Sequence, residues 1–163
     1  MKILVGLGNP GLKYKNNRHN VGHMFVDYCI KKLRITDYGL KCVKTDTFMN
    51  SSGVFVKKLM RNSQFVIDQL FIAHDDLDIP FGKFKIQLGT GPKLHNGIGS
   101  IEHELGTNEF WRIRIGVDAR PSASSGQFAP RIDGETYCLE DFTEDEHKQL
   151  QSIFENIYKQ LTQ

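Results

Sequence analysis

Apolar and polar positions divide the chain into short strand-like runs and longer segments with helical spacing. Residues 2–7 are continuously apolar after the lysine, and QLFIA at 69–73 is a second apolar run, which is typical of buried strands. Residues 83–88 and 112–117 alternate polar and apolar positions and predict half-exposed strands, and residues 41–45 predict a short strand. Helical segments separate these runs, so the pattern indicates an α/β fold.

Apolar residues spaced three or four apart, together with capping residues, mark the helices. We expect a helix capped by Asn20 and running to about residue 33, and one capped by Ser51 or Ser52 and ending near 61. A third follows at about 98–105, and the last begins at a capping box formed by Thr143 and Glu146. The expected apolar faces are Val21, Met24, Phe25, Tyr28 and Leu33 in the first, Val54, Phe55, Leu59 and Met60 in the second, and Leu150, Ile153, Phe154, Ile157, Tyr158 and Leu161 in the last.

The length and composition fit one globular domain. At 163 residues the chain can bury a core without disulfides, and we predict a single domain over 1–163 with a twisted mixed sheet flanked by helices. Its 39% apolar content includes no run of the roughly 20 residues that would span a bilayer. The opening residues lack the apolar region of a signal peptide, so we expect a cytoplasmic protein. Residues 121–134, rich in Ser, Gly, Ala and Pro, predict a mobile surface loop.

Cysteine and charge content narrow the function only a little. The three cysteines are far apart and form no CxxC pair, which favours reduced thiols over a metal site. A formal charge of +2 does not announce a nucleic-acid partner, because phosphate binding depends on a local basic surface.

Candidate acid–base residues follow the two buried strands. Asn9 and His19 come after the first strand, and Asp75 and Asp76 come at the end of the second. Open α/β sheets bind ligands at the carboxyl ends of their strands, and a histidine beside carboxamides suits acid–base work on a carbonyl. Because side chains alternate along a strand, Asp75 and Asp76 should face opposite ways, which favours one carboxylate directed at His19 over a metal site.

Six motifs, in order, give the chain a resemblance to a known family. GLGNPG, RHNVG, TFMNSSG, HDDLDIPFGK, LHNG and LGTNEFWRIRIGV resemble the motifs of the bacterial-type peptidyl-tRNA hydrolases over most of the chain. The resemblance implies hydrolysis of the ester between a peptide, or an N-blocked amino acid, and the terminal ribose of tRNA. It implies no metal and no cofactor, a peptidyl-tRNA substrate, no membrane partner and a monomer.

The family's functional residues fall on matching positions here. The resemblance makes His19 the catalytic base and Asp75 its partner, and it assigns substrate binding to Asn9, Tyr14, Met49, Asn50 and Asn96. A neutral imidazole can take a proton from water as it attacks the ester, while a carboxylate holds the tautomer. No Ser or Cys lies in a recognisable nucleophile elbow, so direct attack by water is expected. The other five histidines, including His95, receive no catalytic role.

Basic residues on the later strands are candidates for tRNA phosphate contacts. We assign these contacts to Lys85, Lys93 and Arg114, although solvated strand faces explain single basic residues equally well. Recognition should depend on the shape of the acceptor stem, because A-form helices hide their major-groove edges.

The sequence departs from the family in three places. The stretch before HNG, which is usually built of small residues, reads GTGPKLHNG here and contains Pro92, Lys93 and Leu94. Gln87 stands at a position where the family usually has a basic residue. The segment before TFMNSSG is shorter than usual, so an edge of the sheet could be missing or rebuilt. Two alternatives stay open, the first suggested by the altered loop and the second, weaker one by the glycine-rich turn. One is a noncatalytic RNA-binding relative, and the other is a nucleotide-binding domain that uses GLGNPG, although this turn lacks the lysine of a P-loop.

Overall fold

One five-stranded sheet organises the molecule. The computed structural model describes residues 1–33, 39–121 and 131–163. The strands are β1 (Lys2–Gly6), β2 (Leu40–Lys44), β3 (Leu70–Pro80), β4 (Phe84–Leu88) and β5 (Trp111–Asp118). They lie in the order β2-β1-β3-β5-β4, parallel except for β4, which pairs antiparallel with β5. The predicted mixed sheet is confirmed, and β2 supplies an edge strand within the shortened segment.

Helices cover both faces of this sheet. They are α1 (Val21–Lys32), α2 (Ser52–Arg61), α3 (Asn96–Leu105), α4 (Gly134–Cys138) and α5 (Glu144–Thr162). Side chains of α1 and α5 share one buried cluster with Leu4, Phe71 and Ile113 of the sheet, whereas α2 and α3 share another with Ile3 and Ile72. Alternation along the strands produces these two cores. None of the helices in the described ranges is long and apolar enough to cross a membrane.

The helix starts only partly follow the sequence prediction. The capping box of Thr143 and Glu146 is confirmed, since each side chain bonds the other's backbone N–H. Asn20 occupies the N-cap position of α1, but its side chain exchanges hydrogen bonds with the backbone of Asn9 instead. The Ser52 hydroxyl donates to the carbonyl of Met49 rather than capping α2. A contact with the loop after β1 therefore takes the Asn20 side chain, and a local bond three residues back takes that of Ser52.

Two strands differ from their predicted character. β3 continues through Pro80: His74 to Asp76 pair with β5, and after a register irregularity Pro80 pairs with Asp118, so Asp75 lies within the strand rather than after it. β5 is an interior strand, and the predicted half-exposure is wrong. Arg112 and Arg114 are buried there, paired with Glu102 at 2.5 Å and Asp76 at 2.7 Å. Ion pairing lets charged side chains occupy an interior strand.

Two further expectations differ in detail. Val54 was expected on the apolar face of α2, but it is exposed, and Val56 fills the buried position. The helix is therefore rotated relative to the expected face. The predicted loop over 121–134 ends in α4, a short helix that the sequence pattern did not indicate, and residues 122–130 lie outside the described part of the chain.

Close packing of α1 against β1 and β3 sets the position of the segment that carries His19. Gly22 has no room for a side chain, because an added Cβ would clash with the carbonyl oxygen of Ala73 and with the backbone of Leu7. Gly99, in α3, has open space at the same point. Close contacts with the backbone therefore require a glycine at position 22. Nothing in the described structure requires one at position 99.

We predict that Gly22→Ala lowers the free energy of unfolding by about 3 kcal/mol, because backbone atoms must move to admit the methyl group. Gly99→Ala is the matched control and should raise it by about 0.5–1 kcal/mol through helix propensity. Denaturant titration of the three proteins measures both changes. Equal stability of Gly22→Ala and the parent would contradict this packing.

Candidate functional site

A cavity of about 830 Å³ opens beside the carboxyl ends of β1 and β3. Residues that the sequence predicts for catalysis or for substrate binding line it, namely Asn9, His19, Met49, Asn50, Asp75 and Asn96. They come from the loop after β1, the turns before α1 and α2, strand β3 and the start of α3. The fold thus brings together six of the seven residues predicted for catalysis and substrate binding.

His19 and Asp75 form the hydrogen-bonded pair at the centre of this cavity. His19 Nδ1 lies 2.8 Å from Asp75 Oδ1 and 2.9 Å from Oδ2. An ionised carboxylate only accepts hydrogen bonds, so His19 must carry its proton on Nδ1 and donate it. Among the contacts of the described residues none engages His19 Nε2, whose lone pair is left for a ligand in the cavity.

His95 completes the array, and sequence reasoning gave it no catalytic role. Its Nδ1 accepts hydrogen bonds from the backbone N–H groups of Gly97 and Ile98, and so caps α3. Its proton must therefore be on Nε2, which lies 2.8 Å from Asp75 Oδ1. The capping interaction fixes the tautomer that donates to the carboxylate. Its place in LHNG, directly before a predicted helix, was the available signal.

Burial and hydrogen bonding shift the pKa values of Asp75 and His19 in opposite directions. Burial favours the neutral form of Asp75, but the neighbouring His19 and His95 hold the pKa of this carboxyl well below its ordinary value. Burial likewise opposes the imidazolium of His19, yet the Asp75 carboxylate raises the pKa of His19 above 6.5. Burial lowers the pKa of the adjacent His74 to about 3, so that ring stays neutral and donates from Nδ1 to the Asp75 carbonyl.

The turn carrying His19 is tied to the C-terminal part of the chain. Arg18 is buried; its guanidinium lies 3.1 Å from the Glu146 carboxylate and 4.0 Å from the centre of the Tyr137 ring. Its backbone N–H donates to the carbonyl of Glu140. Sequence reasoning did not single out Arg18, because a buried role depends on a partner 128 residues away.

Carboxamides surround the imidazole at different exposures. Asn9 accepts a hydrogen bond from the Met49 backbone N–H at 2.8 Å through Oδ1, which orients its NH₂ group. Asn50 and Asn96 are exposed along the cavity wall. Tyr14 is not among the lining residues; it is half-buried nearby and meets the Phe48 ring edge to face at 6.3 Å.

The three basic residues assigned to phosphate contacts occupy different environments. Lys85 and Lys93 are exposed. Arg114 is buried and donates to Asp76 at 2.7 Å and to the Gln87 side chain at 2.8 Å. Its assignment to a phosphate contact stays a prediction, and its present partners favour a structural role for this guanidinium.

One set of side chains has the composition of a metal site. His19, Asp75 and Cys138 offer ligand atoms within 4.8 Å of one another. Burial raises the pKa of the Cys138 thiol, and His19 Nδ1 already donates to Asp75. The thiol would have to lose its proton before binding an ion, so the donor set as it stands serves hydrogen bonding.

Comparison with known proteins gives a consistent assignment. The family model described as peptidyl-tRNA hydrolase matches residues 3–163. A peptidyl-tRNA hydrolase from Pseudothermotoga lettingae is 38% identical over 95% of this chain and 85% of its own, and one from Kosmotoga olearia is 38% identical over 95% and 86%. The crystal structure of the Acinetobacter baumannii peptidyl-tRNA hydrolase superposes with a TM-score of 0.78 and 25% identity, covering 99% of this chain and 86% of that one. By sequence over nearly its whole length and by fold, the chain belongs to the peptidyl-tRNA hydrolase family.

Proposed function

We propose that His19 is the general base with which this member of the family hydrolyses the ester between a peptide and tRNA. One observation carries the proposal: both oxygens of Asp75 lie within hydrogen-bond distance of His19 Nδ1, which leaves Nε2 as the basic atom facing the cavity. An imidazole held in this tautomer can remove a proton from water as the water attacks a carbonyl.

The reaction follows from the same geometry. Water attacks the ester carbonyl, and its proton passes to His19 Nε2. Asp75 stabilises the imidazolium that forms, and the imidazolium then gives the proton to the ribose oxygen as the carbon–oxygen bond breaks. The products are tRNA with a free terminal hydroxyl and a peptide carboxylic acid, which releases its proton to water and leaves as the carboxylate. No step requires a covalent intermediate on the protein.

Carboxamides position the substrate in this proposal. The Asn9 NH₂ group, oriented by its bond to Met49, donates to the peptide backbone, and Asn50 and Asn96 bind the ester region and the terminal adenosine. Tyr14, which contacts Phe48 of the cavity lining, also binds the substrate, and the exposed Lys85 and Lys93 contact phosphates. The shared cavity and the exposure of these two lysines support these roles.

The noncatalytic RNA-binding alternative is not favoured, because the chain's relatives carry the name of an enzyme and the acid–base pair is complete. We further propose that residues 1–163 act as one domain, as a monomer and in the cytoplasm, in line with the family's role in translation. Size-exclusion chromatography with light scattering checks the oligomeric state.

Replacing His19 with Ala should lower kcat for release of tRNA from N-acetyl-aminoacyl-tRNA by about 10²–10⁴-fold, since the general base is lost. The matched control is His103→Ala, because His103 is exposed on α3 and should leave turnover unchanged. Circular dichroism verifies that both variants fold. Unchanged turnover by His19→Ala would exclude this mechanism.

The pH profile should report the His19–Asp75 pair. Only neutral His19 is active, so kcat/KM should fall as pH drops through a pKa above 6.5. Asp75, His95 and Cys138 face this imidazole, and Asp75 is the group that raises its pKa. Asp75→Asn should therefore move the acidic limb to lower pH and lower the plateau by about 10²–10⁴-fold. If the acidic limb of Asp75→Asn stays at the parental pH, Asp75 is not the group that sets the pKa seen in the profile.

His95 acts as a positioning residue in this account, and its variant should move the limb the other way. His95→Ala removes a donor that shares the Asp75 charge, so the carboxylate acts more strongly on His19 and the acidic limb moves to higher pH. We expect a loss of about tenfold in kcat. A purely structural role would lower stability and leave the limb in place.

A further inference from the structure

Three large apolar side chains stand exposed at the mouth of the His19 cavity. Leu94 is 93% exposed, Phe48 is 56% exposed and Leu139 is 46% exposed, and all three line the same cavity. They come from three separate segments, before α3, before α2 and after α4. Exposed apolar side chains that line one cavity mark a place where another molecule binds.

Each of these side chains is one residue away from a contact of the proposed catalytic centre. Leu94 precedes His95, which donates to Asp75. Phe48 precedes Met49, whose N–H holds Asn9. Leu139 follows Cys138, whose sulfur lies within 4.8 Å of the ligand atoms of His19 and Asp75. The apolar rim, defined as Phe48, Leu94 and Leu139, lines the same cavity as His19 and Asp75, in which the ester must lie.

The charge of the cavity indicates which part of the substrate meets the rim. Among its described lining residues the only carboxylates are Asp75 and Glu135, and no lysine or arginine is present. Such a wall repels phosphate groups and offers them no counter-charge. The exposed lysines Lys85 and Lys93 are not among the lining residues. The phosphodiester backbone of tRNA thus belongs outside, and the uncharged acyl part of the substrate belongs inside.

We infer that the apolar rim binds the side chain of the amino acid esterified to tRNA, so that this hydrolase selects peptidyl-tRNAs with large apolar residues at the ester. The inference rests on the proposed ester hydrolysis and adds its substrate preference. Leu94 is the decisive member, because it is the most exposed of the three. Covering its side chain removes apolar surface from water only when the substrate supplies an apolar partner.

The test keeps the tRNA constant and changes only the amino acid. One tRNA is charged with N-acetyl-phenylalanine, N-acetyl-leucine, N-acetyl-glycine or N-acetyl-lysine, and kcat/KM is measured for the parent, Leu94→Ser and Leu12→Ser. Leu12 is 88% exposed and lies outside the cavity lining, so it matches Leu94 in residue type and exposure. Both substitutions replace an exposed side chain, and thermal unfolding verifies folding.

We expect the parent to prefer the phenylalanine substrate over the glycine substrate by about tenfold or more. Leu94→Ser should reduce that ratio at least threefold while changing the glycine rate less than twofold, and Leu12→Ser should keep the parental ratio. Equal rates for all four amino acids in the parent would overturn the inference. An equal loss on every substrate in Leu94→Ser would also overturn it, because the rim would then contact the shared adenosine. Cleavage of no substrate by the parent would instead reject the hydrolase function itself.

Discussion

A buried carboxylate must accept hydrogen bonds to be stable, and the residues of the site supply them to Asp75. The residue is 2% exposed, and burial of an unpaired charge costs several kcal/mol. Two imidazole N–H groups meet the requirement, one from His19 and one from His95. Because His95 is fixed by its capping of α3, and His19 by the turn that Arg18 anchors, three segments that are distant in sequence meet at Asp75. The fold and the chemistry thus depend on the same carboxylate.

The extended β3 strand explains how one aspartate serves the site and the next serves the scaffold. Side-chain alternation sends Asp75 to His19 and Asp76 to Arg114, on opposite faces of the sheet. Arg114 also donates a hydrogen bond to the side chain of Gln87 in β4. On the face of the sheet opposite His19, an ion pair and an amide therefore link the side chains of β3, β5 and β4.

Local sequence predicted the strands, the main helices and most of the cavity, because periodicity and motif order depend on neighbouring residues. The capping box at Thr143 and the opposite orientation of Asp75 and Asp76 belong to this class. The burial of Arg112 and Arg114 could not be predicted, since it depends on β5 lying between β3 and β4 and on partners far away in sequence. The contacts of His95 and Arg18 with residues far away in sequence could not be predicted for the same reason. In each case a tertiary contact decides the environment of a residue whose local pattern has an ordinary explanation.

The most direct test of the account is the tautomeric state of the two histidines that face Asp75. Nitrogen-15 NMR of the imidazole rings, recorded above the pH at which His19 titrates, identifies which ring nitrogen carries the proton. The proposed mechanism requires a proton on Nδ1 and a free lone pair on Nε2 for His19, and the capping of α3 requires the opposite tautomer for His95. A His19 proton on Nε2 would contradict it, because that ring could neither donate to Asp75 nor accept a proton from water in the cavity.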